Sequence, residues 1–181
     1  MMVYFETQRL RFRDWKVEDL PDFRIMNDDD KVMRYFAEKL TEEETDRFYS
    51  IIQAEFRSFG YGLYAVETKH NQEFIGFIGF HWANFISEFT PCIEIGWRLK
   101  SEAWGKGYAT EGARACLKYG HEILKFDEIY SFTSKINYSS ENVMNKIGMV
   151  KIREFEHPNI SEGSTLREHV LYASRKFADT L

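Results

Sequence analysis

Three short stretches of this chain combine residue types that can do chemistry. In Cys92-Ile93-Glu94-Ile95-Gly96-Trp97-Arg98-Leu99 an acid, Glu94, interrupts an apolar run. A carboxylate in such surroundings can hold its proton near neutrality and serve as a general base, or it can simply face outward or pair with an arginine. Next comes Trp104-Gly105-Lys106-Gly107-Tyr108-Ala109-Thr110-Glu111, a glycine-bearing loop that opens a helix. Helix N-termini present unpaired N–H groups and a partial positive charge, and glycines let that backbone approach a pyrophosphate. Arg98, Lys100 and Lys106 against Glu102 add positive charge. The loop lacks the G-K-[ST] of a nucleoside-triphosphate P-loop and the third glycine of a dinucleotide fingerprint. The third stretch, Asn137-Tyr138-Ser139-Ser140, offers hydroxyls that can donate a proton or cap the helix Glu141–Ile147. His157 and His169 flank a loop and titrate near neutrality, whereas His70, His81 and His121 show no ligand spacing, so no metal site is expected.

Composition narrows the class. The 181 residues carry 24 Lys and Arg against 29 Asp and Glu, a net charge of −5. That acidity argues against nucleic acid as a partner. No apolar stretch is long enough for a membrane span, and the N-terminus lacks the regions of a signal peptide. Cys92 and Cys116 lie in apolar runs and read as buried thiols of a cytoplasmic protein. The charge is uneven: Asp14–Asp46 holds twelve acids and five bases, leaving the remainder slightly positive. Such a segment is a solvated helical surface or an acidic lip that attracts a cationic substrate.

The elements that must position these residues follow from periodicity. Glu6–Arg13 alternates as a strand and Asp19–Asn27 reads as a short helix. Thr41 with Glu44 forms a capping box ahead of a helix bearing Phe48, Ile52, Phe56 and Phe59, ended by Gly60 and Gly62. Leu63–Thr68, Phe74–His81 and Cys92–Leu99 are strands. A long helix carries Ala109, Ala113, Cys116, Leu117 and Gly120 on one stripe. Ile129–Thr133 is a strand, Ser139–Ile147 a helix capped by Gly148, and Met149–Phe155 and Glu168–Ser174 close the chain as strands. The expected architecture is one α/β domain with a mixed, mostly antiparallel sheet and one parallel crossover between Cys92 and Thr133.

Glu94-Ile95-Gly96-Trp97-Arg98-Leu99 and Trp104-Gly105-Lys106-Gly107-Tyr108-Ala109 together resemble the acetyl-coenzyme A motif, R/Q-x-x-G-x-G/A, of the GNAT acetyltransferases, with Trp104 in place of the commoner Arg or Gln. That departure is usual in the branch similar to ribosomal-protein-alanine N-acetyltransferases. Thr7–Arg13, Phe74-Ile75-Gly76, Asn137–Ser140, Val143-Met144 and Lys146–Met149 extend the likeness over nearly the whole chain. The resemblance implies coenzyme A in a V-shaped opening between parallel strands at Leu99 and Ile129. Backbone from Gly105 through Lys106, Gly107, Tyr108 and Ala109 to Thr110 would hold the pyrophosphate. Trp97, Arg98 and Leu99 would hold the pantetheine as an edge strand does, with Asn137 and Ser140 beside it.

Acetyl transfer to an amine needs a base, an oxyanion donor and a proton for the thiolate. In similar enzymes the base often lies on the strand of Glu94; Glu111 is second, though it also suits the helix dipole. Many relatives use a tyrosine as acid where this chain has Met144, leaving Ser140. Direct transfer in a ternary complex is the expected mechanism, and a non-catalytic coenzyme A sensor the alternative. The acceptor is expected to be a protein N-terminus or a small amine, approaching from the acidic side, and the protein a monomer or homodimer.

Overall fold

The computed structural model describes residues 2–176. Eight strands form one sheet in the order β1-β2-β3-β4-β5-β6-β8-β7: β1 Val3–Glu6, β2 Leu10–Arg13, β3 Leu63–Thr68, β4 Phe74–Ala83, β5 Cys92–Leu99, β6 Glu128–Ser134, β7 Val150–Glu156 and β8 Glu168–Arg175. Every neighbouring pair is antiparallel except β5 and β6. The expected mixed sheet and parallel crossover are therefore present. Two details differ at the start. The single strand expected over Glu6–Arg13 is a hairpin, because Thr7 turns the chain: its N–H donates to Leu10 O and its hydroxyl accepts from Leu10 N. A four-residue helix, α2 Asp30–Met33, follows α1 Leu20–Asp28, and the Asp29 carboxylate caps it.

The helices cover opposite faces. α1, α2 and α3 Glu42–Phe59 lie on one face, where Phe23, Met26 and Ile52 pack against Ala65 and Phe77 of the sheet. The Thr41–Glu44 capping box is formed and Gly60 ends α3 in the left-handed conformation, but Phe59 is 48% exposed rather than inward. α4 Tyr108–Glu122 packs on the other face over Ile78, Phe80, Ile95 and Ile129. Gly120, a poor helix residue, is required there: a Cβ would come within 2.7 Å of Phe80 and 2.8 Å of Ile129. The helix thus gives up propensity for close approach to the sheet. α5 Tyr138–Lys146 begins earlier than expected because Asn137, not Ser139 or Ser140, is its N-cap. Among the described residues no helix is long and apolar enough to cross a membrane.

The site depends on β5 and β6. Their ladder is confined to Glu94↔Tyr130, reinforced by the Ser131 hydroxyl donating to Ile95 O at 3.0 Å. Beyond that point the strands part, and side chains alternate along β5. Ile95 and Leu99 enter the core under α4, while Glu94, Gly96 and Arg98 face the α1–α3 side opposite His81, Gly79 and Phe77 of β4.

Candidate active site

A cavity of about 700 Å³ occupies the opening between β5 and β6 and continues toward α2 and α3. At one end its wall comes from Trp97, Leu99, Trp104, Gly105, Gly107, Tyr108, Ala109 and Thr110, with Asn137 and Ser140 of the α5 N-terminus across from them. The main chain of β5 is open here. Ile95 O faces β6 and Leu99 O accepts from Trp104 Nε1 at 2.9 Å, whereas Lys100 N donates to Ile75 O of β4. Strand alternation therefore turns the N–H and C=O of Trp97 into the opening, where β6 no longer pairs with them. Gly107, with φ +80°, is the N-cap of α4, and no side chain caps that helix start. This backbone suits an extended pantetheine and a pyrophosphate. Lys106 is exposed and outside the wall; its carbonyl accepts from Arg9 Nη1 at 2.9 Å.

Glu111 does not fit the role of a base. It is turned out of the cavity, where its carboxylate accepts from Thr7 Oγ1 at 2.6 Å, Arg9 N at 3.0 Å and Arg9 Nε at 2.6 Å. Despite partial burial, these bonds hold its pKa below the usual range. Its place is structural: with Arg9, which also lies over the Tyr108 ring at 4.7 Å, it ties the N-terminal hairpin to the loop. The Asn137 side chain is likewise occupied, its oxygen accepting from Ser140 N at 3.3 Å and its amide donating to Thr133 Oγ1 and Ser140 Oγ at 2.9 and 3.1 Å.

The other end is built from side chains. Glu94 lines the cavity at the last paired residue before the strands part. Burial pushes its carboxyl up to about 7, an effect opposed by His81 across the ladder and reinforced by Glu55. His81 Nδ1 lies 2.7 Å from Glu55 Oε1 of α3, and this contact raises the imidazole pKa. Gly96 leaves a gap beside Glu94, since a Cβ there would meet only Glu94 Oε1, at 3.9 Å. Arg98 ends the row. Its guanidinium lies 4.1 Å from the Phe36 ring centre and donates to Asn27 Oδ1 at 2.7 Å, and burial lowers its pKa to about 10. His157 and His169 line the same end, their rings 5.0 Å apart among Phe85, Phe132 and Phe155. Burial pushes His169 down to about 4 and lowers His157, so His169 is a neutral wall at pH 7.

Residues 9–150 match the acetyltransferase (GNAT) domain. The chain belongs to the GNAT acetyltransferase family. It is similar to a GNAT-family acetyltransferase from Bacillus anthracis, 30% identical, covering 97% of this chain and 98% of that one with a TM-score of 0.77. At 15% identity it shares the fold of RimL, a ribosomal L7/L12 alpha-N-protein acetyltransferase solved with coenzyme A (TM-score 0.77; 96% and 98% covered). At 19% identity it shares that of a Vibrio cholerae spermidine N-acetyltransferase solved with coenzyme A and spermine (TM-score 0.75; 93% and 96% covered). This GNAT protein is an N-acetyltransferase that uses acetyl-coenzyme A to acetylate an amine. The expected likeness to the ribosomal branch does not separate from likeness to other GNAT branches, because a protein N-terminus and a polyamine are handled on the same fold.

Several site residues of this GNAT chain carried no readable signal. His81 and Glu55 are far apart in sequence and meet Glu94 only through the β4–β5 register and α3 packing. Asn27, buried in α1, reads as a helix residue until Arg98 arrives from β5. Among the aromatics, Tyr35 and Phe36 line the cavity, Trp15 is core, Phe85 packs behind His157, and Phe59 and Trp82 are exposed.

Proposed function

We propose that acetyl transfer is direct, with the acceptor amine lodged over Gly96 and Glu94 as its base. An alkylammonium has a pKa of about 10.4, so near neutrality a proton must leave before the nitrogen can attack. The Glu94 carboxylate takes that proton, directly or through a water. The amine nitrogen then bonds to the thioester carbonyl carbon, a main-chain N–H of the open part of β5 holds the oxyanion, and the C–S bond breaks. As the C–S bond breaks, the nitrogen gives up its second proton, which reaches the thiolate (thiol pKa about 8.5) through solvent or the Ser140 hydroxyl, which donates its own proton and is reprotonated from the nitrogen. No covalent enzyme intermediate is invoked, in keeping with Cys92, whose thiol burial pushes up to about 12, and Cys116, whose buried thiol is held well above its usual value.

The observation that carries this reading is the placement of Glu94: the one carboxylate among the described residues lining the cavity, at the point where β5 and β6 part, with its pKa raised toward neutrality. A base of that pKa is ionised at working pH yet basic enough to accept a proton. The test is Glu94→Gln. The expected loss in kcat is about 100-fold, and the acid limb of the pH–rate profile, centred near 7 in the native protein, should vanish. An unchanged profile would remove Glu94 from the role.

A further inference from the structure

The Arg98 guanidinium is held by an uncharged group. Its protein partner is the side-chain carbonyl oxygen of Asn27, a fully buried residue oriented by the hydrogen bond its Nδ2 donates to Thr45 Oγ1 at 3.3 Å. Its Nε is buried with no hydrogen-bond partner, and no carboxylate among the described residues lies within ion-pair distance. Aromatic rings of Phe36, Phe48 and Phe77 surround the cation. Desolvating an arginine without a counter-charge costs stability unless an anion arrives to satisfy it. An asparagine at this point keeps the full positive charge available, where an aspartate would cancel it.

The rest of that end agrees. Lys31 and Arg34, on and just after α2, also line the cavity. The twelve acids of Asp14–Asp46, expected to draw a cation, are absent from the cavity wall among the described residues. Many are already committed: Asp19 to Arg13, Asp22 to Lys100, Asp28 and Asp30 to Lys39, and Asp46 to Arg24. The segment is acidic outside and basic where it meets the site.

Resting on the reading of Glu94 and Gly96 as the amine position, we propose that Arg98, positioned by Asn27, binds a carboxylate on the acetyl acceptor, so that the substrate is an amine bearing an acid group rather than a polyamine. Gly96 and Arg98 are two steps apart on β5, about 7 Å along the strand. The amine and carboxylate of the acceptor are therefore separated by several bonds and do not share one carbon. The anion gains a charge-assisted contact with a half-buried guanidinium that has no carboxylate partner of its own.

Straight-chain amino carboxylates of increasing length, each paired with its primary amide, test this in the full protein by thiol release. The expected result is a preference for carboxylate over amide of about tenfold or more in kcat/KM. That ratio should collapse toward one in Arg98→Gln. It should also collapse in Asn27→Asp, which keeps the guanidinium in place and neutralises it, so a folding defect in one variant does not decide the matter. Peptides with a free N-terminus and an acidic or neutral second residue form a parallel arm, and the arm with the larger kcat/KM identifies the source of the carboxylate. Equal turnover of carboxylate and amide, or faster turnover of spermidine, overturns the proposal and leaves direct transfer standing. Calorimetric binding of aminopentanoate to the coenzyme A-loaded protein reads the anion site without turnover. Binding that Asn27→Asp abolishes, with no acetylation of any amine, supports the anion site and rejects the transfer reading. Equal binding of aminopentanoate and its amide rejects the anion site.

Discussion

At the loop end of the cavity, from Trp104 to Thr110, the groups offered to a ligand are main-chain ones, while at the opposite end, between α2, α3 and β5, they are the side chains of Glu94, Arg98 and His81. A backbone site asks little of side-chain identity and much of conformation: Gly107 must hold φ +80° and the N-terminus of α4 must stay uncapped. A side-chain site asks the reverse. Its groups come from β4, β5, α1 and α3, and their charges fix which acceptor fits. One end can therefore be shared across a family while the other sets the substrate.

The difference can be broken or sharpened by substitution at each end. Beyond the base itself, the largest effect is expected at Gly96, where a side chain would project into open cavity space beside Glu94. Gly96→Val should lower kcat/KM for the amine by tenfold or more, roughly the cost of overpacking a filled site, while calorimetry finds coenzyme A affinity little changed. A matching loss of coenzyme A affinity would mean that the two ends are not separable.

Gly107→Val is the reciprocal test. A β-branched residue in the left-handed region costs on the order of 1–3 kcal/mol, so coenzyme A affinity should fall about tenfold. Because only Arg9 Nη2, at 3.5 Å, is near the new Cβ, the loss would reflect backbone strain and not a clash. Unchanged affinity would count against the loop as the pyrophosphate site.

The raised pKa of Glu94 has a stability consequence of definite sign. The folded state binds its proton more tightly than the unfolded chain does, so stability attached to this group declines as pH rises from about 4.5 to about 7 and stays lower above that. Glu94→Gln removes that decline. At pH 8 the variant should be more stable by roughly 1–3 kcal/mol in denaturant titrations, and the gap should close below pH 4.5. A variant less stable at pH 8 would show that the carboxylate is held by its surroundings and not strained by them.

The smallest effects belong to the α5 start. Asn137→Ala removes the N-cap and should cost about 1 kcal/mol in stability. Ser140→Ala should leave stability nearly unchanged and lower kcat less than tenfold, since a thiolate leaves with a pKa of only about 8.5. A larger kcat loss would restore Ser140 as the required acid.

Much of the loop end was legible in the sequence, and the reason is locality. The strand Cys92–Leu99, the glycine loop and the helix after it are contiguous, so spacing and periodicity suffice to place them. The Thr41–Glu44 box was readable for the same reason, since a capping box spans a single turn. Legibility failed where short-range rules compete with long-range contacts. Thr7 bends an alternating segment into a hairpin, and Glu111 is captured by Arg9 from the far end of the sheet.

The same division holds for charge. Twelve acids in the N-terminal helices are a property of sequence, and from sequence alone they suggested a cationic partner. Which of them face the site is a property of packing: ion pairs retain several at the surface, while Lys31, Arg34 and Arg98 line the cavity. The chain's order of residues determined where the strands, the glycine loop and the helices lie, because those signals are local, and the handedness of the crossover then makes β5 and β6 a parallel pair. Only the tertiary structure decided that Glu94, Gly96 and Arg98 share a cavity with His81 and Asn27, because strand register and helix packing join groups that no local rule connects.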